Sequence, residues 1–326
     1  MILQEEKLHH LYDTELKQTL VALENKRQLV KWLIIGSIAL VIAFFIFLVF
    51  NIVRFQVPSF VLVGVAAAVL APMIVFSTFQ YHTYTKAFQE KVIRRVLSFI
   101  DPSWTLVTKS PFPENTFRKS HLVHIDYDKF LVNDYINGSI GGVSFKCMDL
   151  QLQEKIRTNQ NRSASNSPGS YDTIFHGLLL TFTFVQKFIG QTFLIPTKDN
   201  TSAKPLFVES AQGMTTLKNL DVNHPVFAQF YTVNSSEPIN QTSVVSPLLI
   251  EGLLKIKQTF DMEPHLSFID HQLVCAIELP QSQSKLTGGL FIPRVFKSGA
   301  HEEEITFLYR TFMIAETLTL IFNKNK

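Results

Sequence analysis

The sequence predicts a membrane protein of mixed class: a two-helix transmembrane hairpin followed by an α+β, mostly antiparallel-sheet soluble domain. Three observations carry that prediction. Two long uncharged apolar runs stand back to back before residue 80, short alternating stretches bounded by glycine and proline fill the middle, and two stretches with helical spacing lie near the end.

The first run, Trp32 to Val53, reads WLIIGSIALVIAFFIFLVFNIV and carries no charge. At about 1.5 Å per residue it covers a hydrocarbon core of about 30 Å. After Arg54 a second uncharged run begins at Pro58 and continues to Phe79, with Gly64, Ala66, Ala67 and Ala68 offering a face for close helix packing. The expected hairpin therefore occupies residues 32–85, with spans at 32–53 and 58–79. A cleaved signal is not expected, because some thirty mostly polar residues precede the first run. Lys26, Arg27 and Lys31 before the first run, and Lys86, Lys91, Arg94 and Arg95 after the second, outweigh the single Arg54 between them. The positive-inside rule then puts both termini in the cytoplasm. Two other geometries fit the same residues: buried helices of a soluble protein, and a hairpin kinked at Pro72 that dips into one leaflet.

Flanking the hairpin, residues 1–31 show an apolar stripe, Leu8, Leu11, Leu16, Leu20 and Leu23, expected on an amphipathic N-terminal helix. Residues 86–100 continue the second run as an amphipathic stalk helix, with Phe88, Val92, Val96 and Phe99 on one side. Lys91, Arg94 and Arg95 on that helix are the expected membrane-surface contacts, through anionic headgroups; the plainer reading is a solvated charged face.

From Asp101 to Lys326 the pattern becomes that of a cytosolic α+β domain. Strands are expected at Trp104 to Val107, Lys129 to Val132, Asn133 to Asn137 and Val143 to Leu152, with Gly138 and Gly141-Gly142 in the turn before the last. Residues 158–172, rich in Ser and Asn, read as a flexible insertion. Strict alternation of Leu178, Leu180, Phe182 and Phe184 marks a strand over Ile174 to Val185, joined by Phe188-Ile189-Gly190 to another over Gln191 to Ile195. A loop through Leu206 to Glu209 leads to a short helix opened by Pro225. Ser246 and Pro247 then cap a helix running to Phe260. Strands Leu266 to Ile269 and Gln272 to Leu279 turn at Asp270-His271, Leu290 to Phe296 is extended, and Glu302 to Phe322 closes the chain as a helix. Glu302, Glu303 and Glu304 suit that helix's N-terminus, and Lys324 and Lys326 its other end.

A net charge of +3 gives no clustered basic face, so nucleic acid is not an expected partner. Cys147 and Cys275 lack metal-type spacing and fit small core residues, with a disulfide left open. Neither a phosphate-binding glycine loop nor a serine-hydrolase elbow is present, and a turn accounts for Gly288-Gly289. The one cluster of ligand-type residues, His121, His124, Asp126 and Asp128, would put its histidines on opposite sides of a strand, so solvated edge residues are the default. His265 and His271 beside Asp270 suggest a proton relay but fit polar surface; Asp134 and Tyr135 fit hydrogen bonding at a turn. No catalytic residue, cofactor or metal is expected. Sequons at Asn200, Asn234 and Asn240 would matter only in a lumenal domain.

Taken in order, DKFLVNDYINGSIGGVSFKCMDLQLQEK, FHGLLLTFTFVQKFIGQTFLIP, LKNLDVNHPVFAQFYTV, SPLLIEGLL and SFIDHQLVCAI make the chain resemble bacterial membrane proteins of domain-of-unknown-function family 3137 over most of residues 1–280. The stretch TVNSSEPINQTSVVSP departs from that pattern in its charged positions. The resemblance implies an N-terminal helix pair followed by a β-rich domain, and no activity, ligand or catalytic residue. The function expected is a membrane-anchored binding or scaffold module whose partners are the lipid bilayer and either another protein or a second copy of the chain. The alternatives are a subunit of a membrane machine or enzyme with a site around His121, Asp126, Asp134 and Tyr135, and a secreted protein that inserts into a foreign membrane.

Overall fold

The computed structural model describes residues 10–55, 59–108, 114–123, 126–155, 171–197, 217–239, 244–279, 295–296 and 300–323. The chain divides into two compact units, residues 1–100 with 290–305, and residues 101–289 with 306–326.

In the first unit a π-helical turn, Tyr12–Leu16, runs into α1, Lys17–Phe55, a helix of 39 residues. The stretch expected as a separate N-terminal helix and the first apolar run are thus one helix. From Lys17 to Trp32 there is neither glycine nor proline, and Leu, Ala, Glu, Lys, Arg and Gln, all good helix formers, dominate. The return helix α2, Ser59–Phe88, passes Pro72 without ending. A π-turn, Gln89–Ile93, and α3, Arg94–Ile100, follow. Phe88 and Arg94 keep right-handed helical dihedrals, so α3 carries α2 onward.

Two kinds of packing hold these helices. In the polar half, Leu11, Leu16, Leu20, Leu23, Arg27 and Val30 are buried, as are Tyr84, Phe88, Val92, Ile93, Val96, Leu97 and Ile100. From Leu16 onward the α1 steps are four and three residues, the seam of an antiparallel coiled coil. In the apolar half, a Cβ on Gly36 would lie 3.4 Å from Met73 Cε, and Ser37 Oγ is 3.3 Å from Ser77 Oγ. Small side chains let the backbones approach there.

The second unit holds, among the described residues, one sheet of nine strands, every pairing antiparallel. These are β1 Thr105–Thr108, β2 Lys129–Ile140, β3 Val143–Lys155, β4 Tyr171–Thr183, β5 Gln191–Pro196, β6 Lys218–Leu220, β7 Tyr231–Ser235, β8 His265–Ile269 and β9 Gln272–Glu278. Their order is β1-β2-β3-β4-β9-β8-β5-β7-β6. Helices α4 Glu114–Arg118, α5 Pro225–Phe230, α6 Pro247–Phe260 and α7 Ala300–Asn323 complete the elements.

Several expectations are corrected by this topology. The two strands expected between Lys129 and Asn137 are one, irregular in register between Val132 and Tyr135. Gly138 lies within β2, where a Cβ would come within 2.5 Å of Trp104 Cδ1; the turn belongs to Gly141 and Gly142, at φ +57 and +82. Although Phe188, Ile189 and Gly190 do connect β4 to β5, those strands are not partners, because the β8-β9 hairpin lies between them. β7 follows α5 with no turn residue to announce it. The insertion over residues 158–170, the loop at Leu206 to Glu209, most of the Leu290 to Phe296 stretch, Gly288-Gly289, Pro58, Leu8, Lys324 and Lys326 lie outside the described residues.

Strand alternation sorts the core onto two faces. On one, α7 lies over the sheet: the Phe312 ring is 4.7 Å from Trp104 and 6.1 Å from Phe145, and the Phe322 ring is 5.2 Å from Phe268 and 5.5 Å from Phe188. Gly252 of α6 faces Ile321 of α7. On the other face, Met148, Leu150, Leu152, Phe175, Leu179, Phe193, Val274 and Ala276 form a core with Phe117 and Leu122. Ser267 Oγ, donating to Ser120 O at 2.6 Å, ties down the segment that covers them.

Candidate functional site

Among the described residues, the apolar half of the hairpin turns a continuous band of large hydrophobic side chains outward. On α1, Trp32, Ile38, Ile42, Phe45, Ile46, Phe47 and Phe50 are all more than half exposed, and on α2, Val75 and Phe79 are so. This band begins at Trp32; before it, α1 buries only its seam. From Trp32 to Phe55 the helix rises about 34 Å, close to the thickness of a bilayer core. Tyr12–Phe50 has the length and apolarity to cross a membrane with none of its most apolar window buried. The only other described stretch that does, Ile305–Asn323 of α7, has 67% of its window buried.

Charged groups of the polar half are arranged differently. Arg27 is fully buried in the seam, where its guanidinium donates to both oxygens of the Glu24 carboxylate and to the carbonyl of Val295, 2.6 Å away. The hydrogen bond to Glu24 raises its pKa against the opposing effect of burial. Lys91, Arg94 and Arg95 are exposed, and Arg95 Nε donates to Glu15 at 2.6 Å. Because α3 continues α2 rather than turning away from it, these three cations stand about 13, 18 and 20 Å beyond His82 along the helix.

The chemistry sought in the sheet domain is mostly dispersed. His121 follows α4 at φ +49, His124 lies outside the described residues, and Asp128 accepts a hydrogen bond from Lys155 N at 2.7 Å. Asp126 is exposed on the loop before β2. Among the described residues no three His, Cys, Asp or Glu side chains are grouped to hold a metal. Asp134 is buried and Tyr135 half-buried at the irregular step of β2, where alternation sends them to opposite faces. His265 is buried at the start of β8, whereas His271 sits on the turn beyond its end, about 17 Å along the strand. Beside that turn, Asp270 pairs with Lys187 at 3.2 Å. Asn234 is buried in β7; Asn200 and Asn240 lie outside the described residues.

Register brings together one pair that sequence reasoning missed. Asp149 of β3 and His176 of β4 lie diagonally across the strands, Oδ1 to Nε2 3.1 Å, both buried. The other ring nitrogen, Nδ1, is buried without a hydrogen-bond partner among the described residues. Nothing local announces this pair, since it requires knowing that Asp149 lies opposite Leu178. Cys147 and Cys275 flank Leu180 across three adjacent strands, about 9.6 Å apart, too far for a disulfide. Both are free, and burial pushes their thiols up.

These features define a class: an antiparallel-sheet domain closed by a C-terminal helix and preceded by a helical hairpin with an outward apolar band. Residues 173–322 match the model of the family described as protein of unknown function (DUF3137). The matched range runs from β4 to the end of α7, and leaves out the hairpin and the first three strands. No curated protein and no solved structure matches the chain.

Proposed function

We propose that the protein is a membrane-anchored module: the hairpin crosses a bacterial inner membrane with both ends in the cytoplasm, and the sheet domain serves there as a binding or scaffold element for another protein or a second copy. The observation that carries this reading is the outward apolar band of α1 and α2, bounded by Trp32 and Tyr81-His82 and matched in length to a bilayer core. In water those side chains would cost about 25 cal/mol per Å² of apolar surface, a penalty that lipid removes. Lysines and arginines on the polar side favour the cytoplasmic orientation.

Cysteine labelling in intact cells tests the anchor. An impermeant thiol reagent is expected to reach Arg54→Cys from outside and to miss Ser165→Cys, with Cys147 and Cys275 silent because they are buried. Labelling of Ser165→Cys alone would reverse the topology; no protection of either in washed membranes would remove the anchor.

A second reading is favoured by one observation. An imidazole held by a carboxylate through Nε2, with a free Nδ1, has the arrangement of an oriented general base. On this reading His176→Gln abolishes a cellular function that Asp149→Asn only weakens, while both variants fold; equal thermal stability with full function in both would leave the pair structural.

A further inference from the structure

We propose that Lys26, Lys31 and Lys86 form a collar around the hairpin that binds the headgroup phosphates of anionic phospholipids, just beyond an aromatic girdle of Trp32, Tyr81 and His82. The proposal rests on the bilayer-spanning reading and refines it: it names the lipid class and moves the contact away from Lys91, Arg94 and Arg95.

The level of each residue follows from the hairpin register. Ser37 meets Ser77, and the helices are antiparallel, so five residues further along each, Trp32 and His82 share a level about 7.5 Å from that contact. Trp32 is 65% exposed, Lys31 Nζ lies 6.0 Å from its ring centroid, and the Tyr81 and His82 rings are 5.9 Å apart. The exposed Trp32 and His82 rings with the half-buried Tyr81 ring beside them, at one level and at the edge of an apolar band, are the arrangement that sits at a membrane interface. Measured from there, Lys31 stands about 1.5 Å, Lys86 about 6 Å and Lys26 about 9 Å outward. One headgroup layer is roughly 5–7 Å thick, within reach of these lysine stems.

Charge supports the same choice. Residues 26–31 and 83–88, KRQLVK and TYTKAF, hold four cations and no acid. Of the four, only Arg27 is buried and committed to Glu24. Lys26 and Lys86 are exposed and Lys31 half-buried. Lys86 has a carboxylate near it, Glu90 at 3.9 Å, and an exposed pair at that distance holds weakly. By contrast, Arg94 and Arg95 lie beyond the headgroups by more than a Debye length of about 8 Å and Lys91 by close to one, and Arg95 is already paired with Glu15.

Two variants of the full chain that remove the same charge separate these sets: Lys26→Gln with Lys31→Gln and Lys86→Gln, and Lys91→Gln with Arg94→Gln and Arg95→Gln. Binding of short-chain phosphatidylglycerol to the detergent-purified protein is followed by native mass spectrometry. The collar variant is expected to lose on the order of a hundredfold in affinity, from about fivefold per lysine, and the outer variant less than about threefold. Equal losses in both variants, or none in the first, overturn the collar. In parallel, brominated lipids in vesicles should quench fluorescence that Trp32→Phe abolishes. Absent quenching overturns the bilayer reading and the collar with it, whereas quenching with an unchanged collar variant overturns the collar alone.

Discussion

Helices α1 and α7 are both long and apolar enough to cross a bilayer, and they place their side chains oppositely. Along its apolar half α1 exposes Phe45, Ile46 and Phe50, whereas α7 buries Leu308, Phe312, Ile314, Leu318 and Phe322. Charge explains part of the difference. From Trp32 to Val53 α1 has none, while α7 carries Arg310 and Glu316 near its middle. Thr311 and Thr319 of α7 are buried and bond back to the Phe307 and Ala315 carbonyls, as hydroxyls do in a packed interior. What the pair teaches is that apolarity sets the wish to leave water, and the neighbouring sheet decides whether protein covers the side chains or leaves them exposed.

The contrast is broken most severely at Leu318, which is fully buried. Leu318→Arg puts an unpaired charge into the core and is expected to cost more than about 4 kcal/mol, removing the cooperative thermal transition seen by circular dichroism. A retained transition would mean that α7 is not core. Ile46→Arg, at a site 63% exposed, should leave that transition in place and weaken membrane insertion by about 3 kcal/mol, read as protein lost from the membrane fraction. If instead it melts the fold as Leu318→Arg does, the apolar band packs against protein.

Smaller effects sharpen the picture. Arg27→Ala removes the guanidinium from Glu24, which keeps Gln28 Nε2 at 2.9 Å, and from the Val295 carbonyl, and should cost roughly 2 kcal/mol, raising amide exchange over residues 20–30; Arg27→Lys restores only part, lacking the guanidinium fork. Ser246→Ala loses the cap to Leu249 N, about 1 kcal/mol, and lowers the domain's Tm by a few degrees without changing insertion. Least of all is Tyr127, whose phenol is pushed up to about 12 by burial and then by its hydrogen bond to Glu114. Its folded pKa is raised above the ordinary value near 10, so its stabilisation is whole below about pH 10 and drains away as pH rises toward 12. The group is partly exposed, so solvent screening reduces this to about 1 kcal/mol or less. Denaturant midpoints of the protein and of Tyr127→Phe should converge over that range; parallel curves would discard the assignment.

Much of the fold was legible because its signals are local. Ser246-Pro247 starts a helix wherever an apolar stripe follows, and the side chain of Ser246 does accept from Leu249 N. Alternation through Leu178, Leu180 and Phe182 marks a strand regardless of its neighbours. Other features had no local signal. β7 begins at Tyr231, the residue that ends α5, and Gly138 looks like a turn until Trp104 is found against it. Of the candidate site, the apolar band was plain in its composition. The level of Lys26, Lys31 and Lys86 was not, because it depends on Ser37 meeting Ser77.

By itself the sequence determined most of the helical and strand segments, that one region is uncharged and apolar over a bilayer's length, and where cations flank it. Periodicity, capping and charge are properties of neighbouring residues, so they survive without a fold. Tertiary structure alone decided that β8 and β9 enter between β4 and β5, that Asp149 meets His176, that the two cysteines stay apart, and that α7 is covered while α1 is bare. Each of these depends on contacts between residues distant in the chain, and such pairings are fixed only when the whole sheet closes over its core.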